Sequence, residues 1–230
     1  MKTRASFLAW CVFSLAVWNT HGFSPITLRT SSGLLNNVKG KDILDFLATP
    51  SNWPKIVLSS SDVQGLASLN VDQPLRPGNR VAEIFGLPPV LPLSVEWVCR
   101  SNTYPVLDVM SSGGVTGIAS NCRMLFTVRE VLATSTTATT TTQSSEAAGV
   151  VVELEMSYTP LSLLAVLAVP ALVIDNTLAL KGLLPRAIKA QSNSQSNDRA
   201  ALIKPIDEFR ALMGVLLLHD LTLTLSPSYP

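Results

Sequence analysis

Histidine is nearly missing from this 230-residue chain, occurring only at positions 21 and 219. A histidine-based triad needs an imidazole beside its nucleophile, and a multi-histidine metal site needs several together. With His21 inside what reads as a leader, neither can be assembled. The sequence therefore predicts no catalytic residue, no metal ligand and no cofactor. Cysteine is almost as scarce: Cys11 lies in the leader, and Cys99 and Cys122 alone make no disulfide framework. No Asn-x-Ser/Thr acceptor occurs, and "SSGGVTG" lacks both phosphate-cradling glycine fingerprints.

Acidic residues are absent from the first 41 positions, where Lys2, Arg4, Arg29, Lys39 and Lys41 precede Asp42. The remainder carries 12 basic against 16 acidic residues. A mildly acidic body without clustered Lys and Arg is a poor surface for nucleic acid, so no nucleic-acid partner is expected. The acid-free start reads as an address. "MKTR" is a basic n-region, "ASFLAWCVFSLAVW" is an apolar core too short to anchor, and "NTHG" puts Thr20 and Gly22 where signal peptidase prefers small side chains, predicting a signal peptide over 1–22. Residues 23–41, "FSPITLRTSSGLLNNVKGK", are hydroxylated and basic, as transit segments are. Together they resemble the bipartite plastid presequences of algae with secondary plastids, in which Phe follows the signal cleavage site as Phe23 does here. Secretion or residence in the ER lumen is the alternative, and a buried N-terminal helix a further one.

Past the presequence, Ile43, Leu44, Phe46 and Leu47 predict a helix that stops by Thr49, because the residue before a proline avoids helical angles. "SNWPK" then predicts a turn burying Trp53, and Pro77-Gly78 a type II turn. Four later segments read as strands. Val95, Trp97 and Cys99 alternate with Glu96 and Arg100. "YPVLDVM" follows, with "SSGGVTG" as its connection. Cys122, Met124, Phe126 and Val128 alternate with Arg123, Thr127 and Arg129. Val152, Leu154, Met156 and Tyr158 alternate with Glu153, Glu155 and Ser157. Such runs describe an antiparallel sheet solvated on one side. The threonine-rich "ATSTTATTTTQSSEAAG" predicts a loop tip between the last two strands. "SNSQSNDR" opens a flexible linker, and "IDEFRALMGVLLLHD" could form a further helix.

"LSLLAVLAVPALVIDNTLALKGLLPRAI" (161–188) is the most apolar stretch, with no charge between Glu155 and Asp175. Its uncharged part has about the minimum length of a membrane span, yet Pro170 interrupts it, and Asp175, Lys181 and Arg186 continue the same run. A helix closing over an apolar interior is favoured over a span. Its expected inward face carries Leu161, Leu164, Ala168, Leu172, Asp175 and Ala179.

The succession "DILDFLATPSNWPKIV", "PLRPGNRVAEIF" and a last strand running into "SLLAVLAVPALVIDNTLALKGLLPRAI" resembles the START-like, or Bet v 1-like, superfamily of polyketide cyclases and lipid carriers. The likeness runs from about residue 32 to residue 190 and implies an α+β helix-grip fold. In that fold a curved antiparallel sheet wraps a long C-terminal helix around an internal apolar cavity. The first strand would have to come from "LRTSSGLLNN". The domains then read as signal peptide 1–22, transit-like presequence 23–41, START-like domain 42–190, and linker with tail 191–230.

The resemblance makes the inner sheet face both core and ligand wall. Trp97, Met124, Phe126, Met156 and Tyr158, with Leu164 and Leu172 from the helix, are the candidate ligand-binding residues. Met adapts to irregular shapes, while Trp and Tyr carry a polar tip on an apolar body. Tyr158 either offers a ligand one hydrogen bond or is satisfied by backbone. Glu96, Glu153 and Glu155 fall on the solvated face, whereas Glu83 and Asp108 lie on strands whose facing the pattern leaves open. Cys99 and Cys122 read as buried, inert thiols. The function expected is binding or transport of a small hydrophobic ligand (lipid, pigment, quinone or polyketide) by a monomer in transient contact with membrane. The alternatives are a cyclase- or dehydratase-like enzyme in the same cavity and a scaffold with an incidental cavity.

Overall fold

The computed structural model describes residues 23–87, 91–132 and 147–192. The signal-like leader, the threonine-rich segment at 133–146 and the chain after residue 192 lie outside the described residues. Period-two alternation produces seven strands: β1 (Ile26–Ser31), β2 (Ser60–Gly65), β3 (Arg80–Leu87), β4 (Leu91–Thr103), β5 (Val106–Ser111), β6 (Ala119–Leu132) and β7 (Ala147–Pro160). They form one antiparallel sheet in the order β1-β7-β6-β5-β4-β3-β2. Consecutive strands pair throughout, except that β1 returns to the last strand.

The two faces follow the sequence pattern. Val95, Trp97, Cys99, Leu107, Val109, Cys122, Phe126, Val128, Val152, Leu154 and Tyr158 are buried on the concave side. On the convex side ion pairs join neighbouring strands: Arg29 with Glu155, Arg80 with Glu96, Arg123 with Asp108, and Arg129 with Glu153. Exposed pairs of this kind contribute about 0–1 kcal/mol each, so they fix facing and register more than stability. The register shifts at Ser60/Asp62, Cys99/Ser101, Ser120/Arg123 and Val131/Leu132. Bulges bend the strand that carries them and increase its twist, which curves the sheet.

Helix α1 (Gly40–Ala48) ends at Thr49, as the proline at position 50 requires. The "SNWP" turn then does chemical work on the helix end. The Asn52 amide donates to the Phe46 carbonyl at 3.0 Å, and the Trp53 indole donates to the Leu47 carbonyl at 2.8 Å. Two carbonyls orphaned at a helix C-terminus are thereby satisfied. Trp53 itself opens the short helix α2 (Trp53–Ile56) and is buried. Gly78 has φ +86 and Asn79 N–H bonds the Arg76 carbonyl at 2.9 Å, the geometry of the expected type II turn.

After β7 the chain forms α3 (Leu163–Leu167), α4 (Val169–Leu178), a π-turn (Ala179–Leu183) and α5 (Leu184–Ser192), end to end. This composite helix lies on the concave face. The fold is the helix-grip α+β architecture, and among the described residues no helix is long and apolar enough to cross a membrane.

Two expectations need correction. Ile26–Ser31 is a sheet strand, registered against β7 from Ile26↔Tyr158 to Ser31↔Glu153. The folded domain therefore begins upstream of Asp42, inside the segment read as a transit-like presequence. The strand also starts before "LRTSSGLLNN", because Ile26 and Leu28 supply its inward side chains. Second, Leu164 does not face the sheet: it is 47% exposed, and Leu161 is exposed as well. Ala165 is buried instead. Pro170, which has no N–H to give the preceding turn, opens α4 and shifts the phase, so the expected stripe holds only from Leu172 onward.

Candidate functional site

Rows of paired residues run across the concave face. One row is Leu28, Met156, Met124, Val109 and Cys99, each registered opposite the next on the neighbouring strand. A second runs through Thr30, Leu154, Phe126 and Leu107. Burial along the first row is uneven. Val109 and Cys99 are sealed, whereas Leu28, Met156 and Met124 remain partly open although they point inward. The part of the helix that follows β7, residues 163–174, buries only Ala165. The second half buries Asp175, Asn176, Ala179, Leu180, Leu184 and Ala187. The helix thus grips by its C-terminal half, whereas its first half is largely exposed.

Polar groups are placed sparingly on this surface. Glu83 shares the inward face of β3 with Val81 and is 6% exposed. Trp97 sits opposite Val81 on β4, and its indole reaches diagonally to donate to Glu83 Oε2 at 2.7 Å. Burial raises the Glu83 pKa above its ordinary value. Hydrogen bonds from the Ser60 hydroxyl and the Trp97 indole oppose the rise, and the negative charge of Asp175 adds to it. A carboxyl in that setting favours its protonated form and can donate a hydrogen bond or a proton.

Asp175, on α4, is 9% exposed and faces the segment leading into β2. Its carboxylate accepts from the Leu58 and Ser59 backbone N–H groups at 2.9 and 3.3 Å and from the Ser59 hydroxyl at 2.5 Å. The helix is tied to the sheet edge through that side chain. Next to it, the Asn176 amide lies 3.9 Å from Met156 Sδ, a weak contact onto the methionine row.

The residues expected to bind ligand are distributed as follows. Trp97, Phe126 and Tyr158 are buried on the inner face, Met124 and Met156 are partly open there, and Leu172 packs partly buried from the helix. Leu164 is outside. The Tyr158 hydroxyl donates to the Ala165 carbonyl at 2.9 Å, so it is occupied by backbone and pins the start of the helix to β7. Asp108 faces outward and is held by Arg123 in a two-pronged pair at 2.9 and 3.0 Å. Cys99 and Cys122 are buried free thiols. Burial, with a smaller push from Asp108, drives the Cys99 pKa up to about 11, and burial raises that of Cys122. Neither thiol is a nucleophile at neutral pH. Among the described residues no cluster of His, Cys, Asp and Glu could hold a metal ion.

Two open clefts lie away from this surface. One, of about 530 Å³, is formed by Lys41, Leu44, Asp45, residues 73–76 and residues 102–104. The other, of about 400 Å³, lies on the convex face around Arg29, Leu125 and Glu153. Neither includes the methionine row or Glu83.

No family model and no curated protein sequence matches the chain. Solved structures do align with it. A START superfamily protein from Mycobacterium smegmatis aligns with TM-score 0.46 and 9% identity, over 71% of this chain and 98% of that one. Truncated norcoclaurine synthase from Thalictrum flavum aligns with TM-score 0.46 and 11% identity, over 74% and 97%. Ginseng major latex-like protein 151 aligns with TM-score 0.43 and 9% identity, over 66% and 94%. At such identities the likeness is one of fold alone.

Proposed function

We propose that the protein binds and carries a small hydrophobic molecule between the concave sheet face and the first half of the C-terminal helix, meeting membranes transiently to load or release it. The supporting observation is the row Leu28, Met156 and Met124, inward-facing yet incompletely covered. Methionines adapt to ligands of irregular shape, and an apolar wall with few polar groups is the usual make-up of a small-molecule pocket. Trp97, Phe126 and Leu172 extend the wall. Glu83 supplies one polar feature, suited to a carbonyl or hydroxyl oxygen while it holds its proton.

Binding of anilinonaphthalene sulfonate by the full chain tests this reading. Phe126→Trp fills part of the space and is expected to weaken probe binding about tenfold, although overpacking strains a core and folding must be checked by circular dichroism. Unchanged binding in a folded variant refutes the proposed location.

Glu83, a buried carboxyl whose pKa burial raises, also favours a second reading, a cyclase- or dehydratase-like enzyme with Glu83 as general acid. Turnover of a polyketide-type substrate by the native chain, lost in Glu83→Gln with probe binding retained, would establish it.

A further inference from the structure

Large apolar side chains are exposed on one element far out of proportion to the rest. Of the eight exposed large hydrophobic residues described, six are Leu161, Leu163, Leu164, Leu167, Val173 and Ile174. Soluble proteins scatter such residues singly, and a cluster on one element marks a contact surface. Residues 163–174 carry no polar side chain at all. A protein interface of ordinary make-up needs about one hydrogen bond per 100–200 Å², which this stretch has no side chain to supply. Hydrocarbon needs none.

Charge points the same way. Lys181, Arg186 and Lys189 follow Ile174 on the same composite helix, and all three cations are exposed. Between residues 161 and 192 the one acid is Asp175, which is buried and bound to the Leu58 and Ser59 N–H groups. Lys181 lies about 10 Å beyond Ile174 at ~1.5 Å per residue, close enough to reach headgroups while the leucines enter the acyl boundary. The geometry points to a docking face for the surface of an anionic bilayer: residues 161–174 insert, and Lys181, Arg186 and Lys189 engage the lipid phosphates. The face is read from the surface alone and does not depend on what lies beneath the helix.

The full chain should sediment with vesicles of phosphatidylcholine containing about one-third phosphatidylglycerol at least tenfold more strongly than with pure phosphatidylcholine, and less so as salt rises. Leu167→Asp with Ile174→Asp should lower binding to both vesicles about tenfold or more, with circular dichroism unchanged because both side chains are exposed. Lys181→Glu with Arg186→Glu should abolish the anionic preference and leave weak binding to both vesicles. A bimane on Leu167→Cys should shift to the blue when vesicles are added, and most with the anionic ones. Absence of vesicle binding, or variants that bind as the native chain does, overturns the proposal. A bimane already in an apolar setting without lipid also overturns it, since the chain's own tail, a second copy or another protein would then cover the face.

Discussion

Glu83 and Asp175 are the two buried carboxylates among the described residues. Because folded Glu83 keeps its proton to higher pH than the unfolded chain does, the native state binds more protons between the two pKa values. Stability should therefore fall as pH rises from about 4.5 through the folded pKa, then level off. Urea unfolding across that range should show the fall in the native chain and its absence in Glu83→Gln, which is also expected to be the more stable at neutral pH. Asp175→Asn is expected to cost about 2 kcal/mol, because bonds from the Leu58 and Ser59 N–H groups to a charged oxygen are weakened. Removing that charge should also bring the Glu83 window to an end at lower pH. The sequence shows why Glu83 was hard to place. Val81, Glu83 and Phe85 share one parity and Ala82 and Ile84 the other, so both faces of β3 look apolar and alternation does not choose. Asp108 is clearer, since Leu107 and Val109 flank it inward and Arg123 stands diagonally opposite on the neighbouring strand.

The C-terminal helix concentrates what could and could not be read at the scale of elements. Its existence, its position after the last strand and its preference for the sheet over a bilayer were legible in Pro170 and the later charges. Its phase was not. A proline resets the helix at Val169 and a π-turn widens it at Ala179–Leu183, so a stripe extrapolated at uniform spacing puts Leu164 on the wrong side. The uneven grip gives a measurable asymmetry. Leu180→Ala, at a side chain 1% exposed, should cost about 2–5 kcal/mol, whereas Leu167→Ala, at one 68% exposed, should stay within about 0.5 kcal/mol. Equal effects in urea unfolding would mean that both halves are held alike. The inner faces of β4, β6 and β7 were read residue by residue, because there alternation is strict and the opposite face is charged. β1 was not, because a short edge strand rich in Thr and Ser shares its composition with a targeting segment.

At the scale of the whole molecule, β1 limits how much of the N-terminal region the fold can lose. Processing after Gly22 leaves Phe23 first and keeps the strand, whereas removal of residues 1–41 strips β7 of its partner and exposes Ile26's and Leu28's positions on the concave face. A chain starting at Phe23 should be soluble and show cooperative unfolding; one starting at Asp42 should not. If the shorter chain proves equally stable, β1 is dispensable and the transit-like reading of 23–41 regains its ground. The same strand completes the row that the proposed ligand would lie against, so fold boundary and function meet at Leu28, Met156 and Met124. Photolabelling of the intact protein with a diazirine-bearing alkyl carboxylate, followed by peptide mapping, tests that meeting point most directly. The expected result is adducts on Met124, Phe126 and Met156, competed away by an excess of unlabelled long-chain carboxylate. Adducts confined to the exposed face at residues 161–174 or to the two open clefts, or none at saturating probe, would contradict a ligand held beneath the helix.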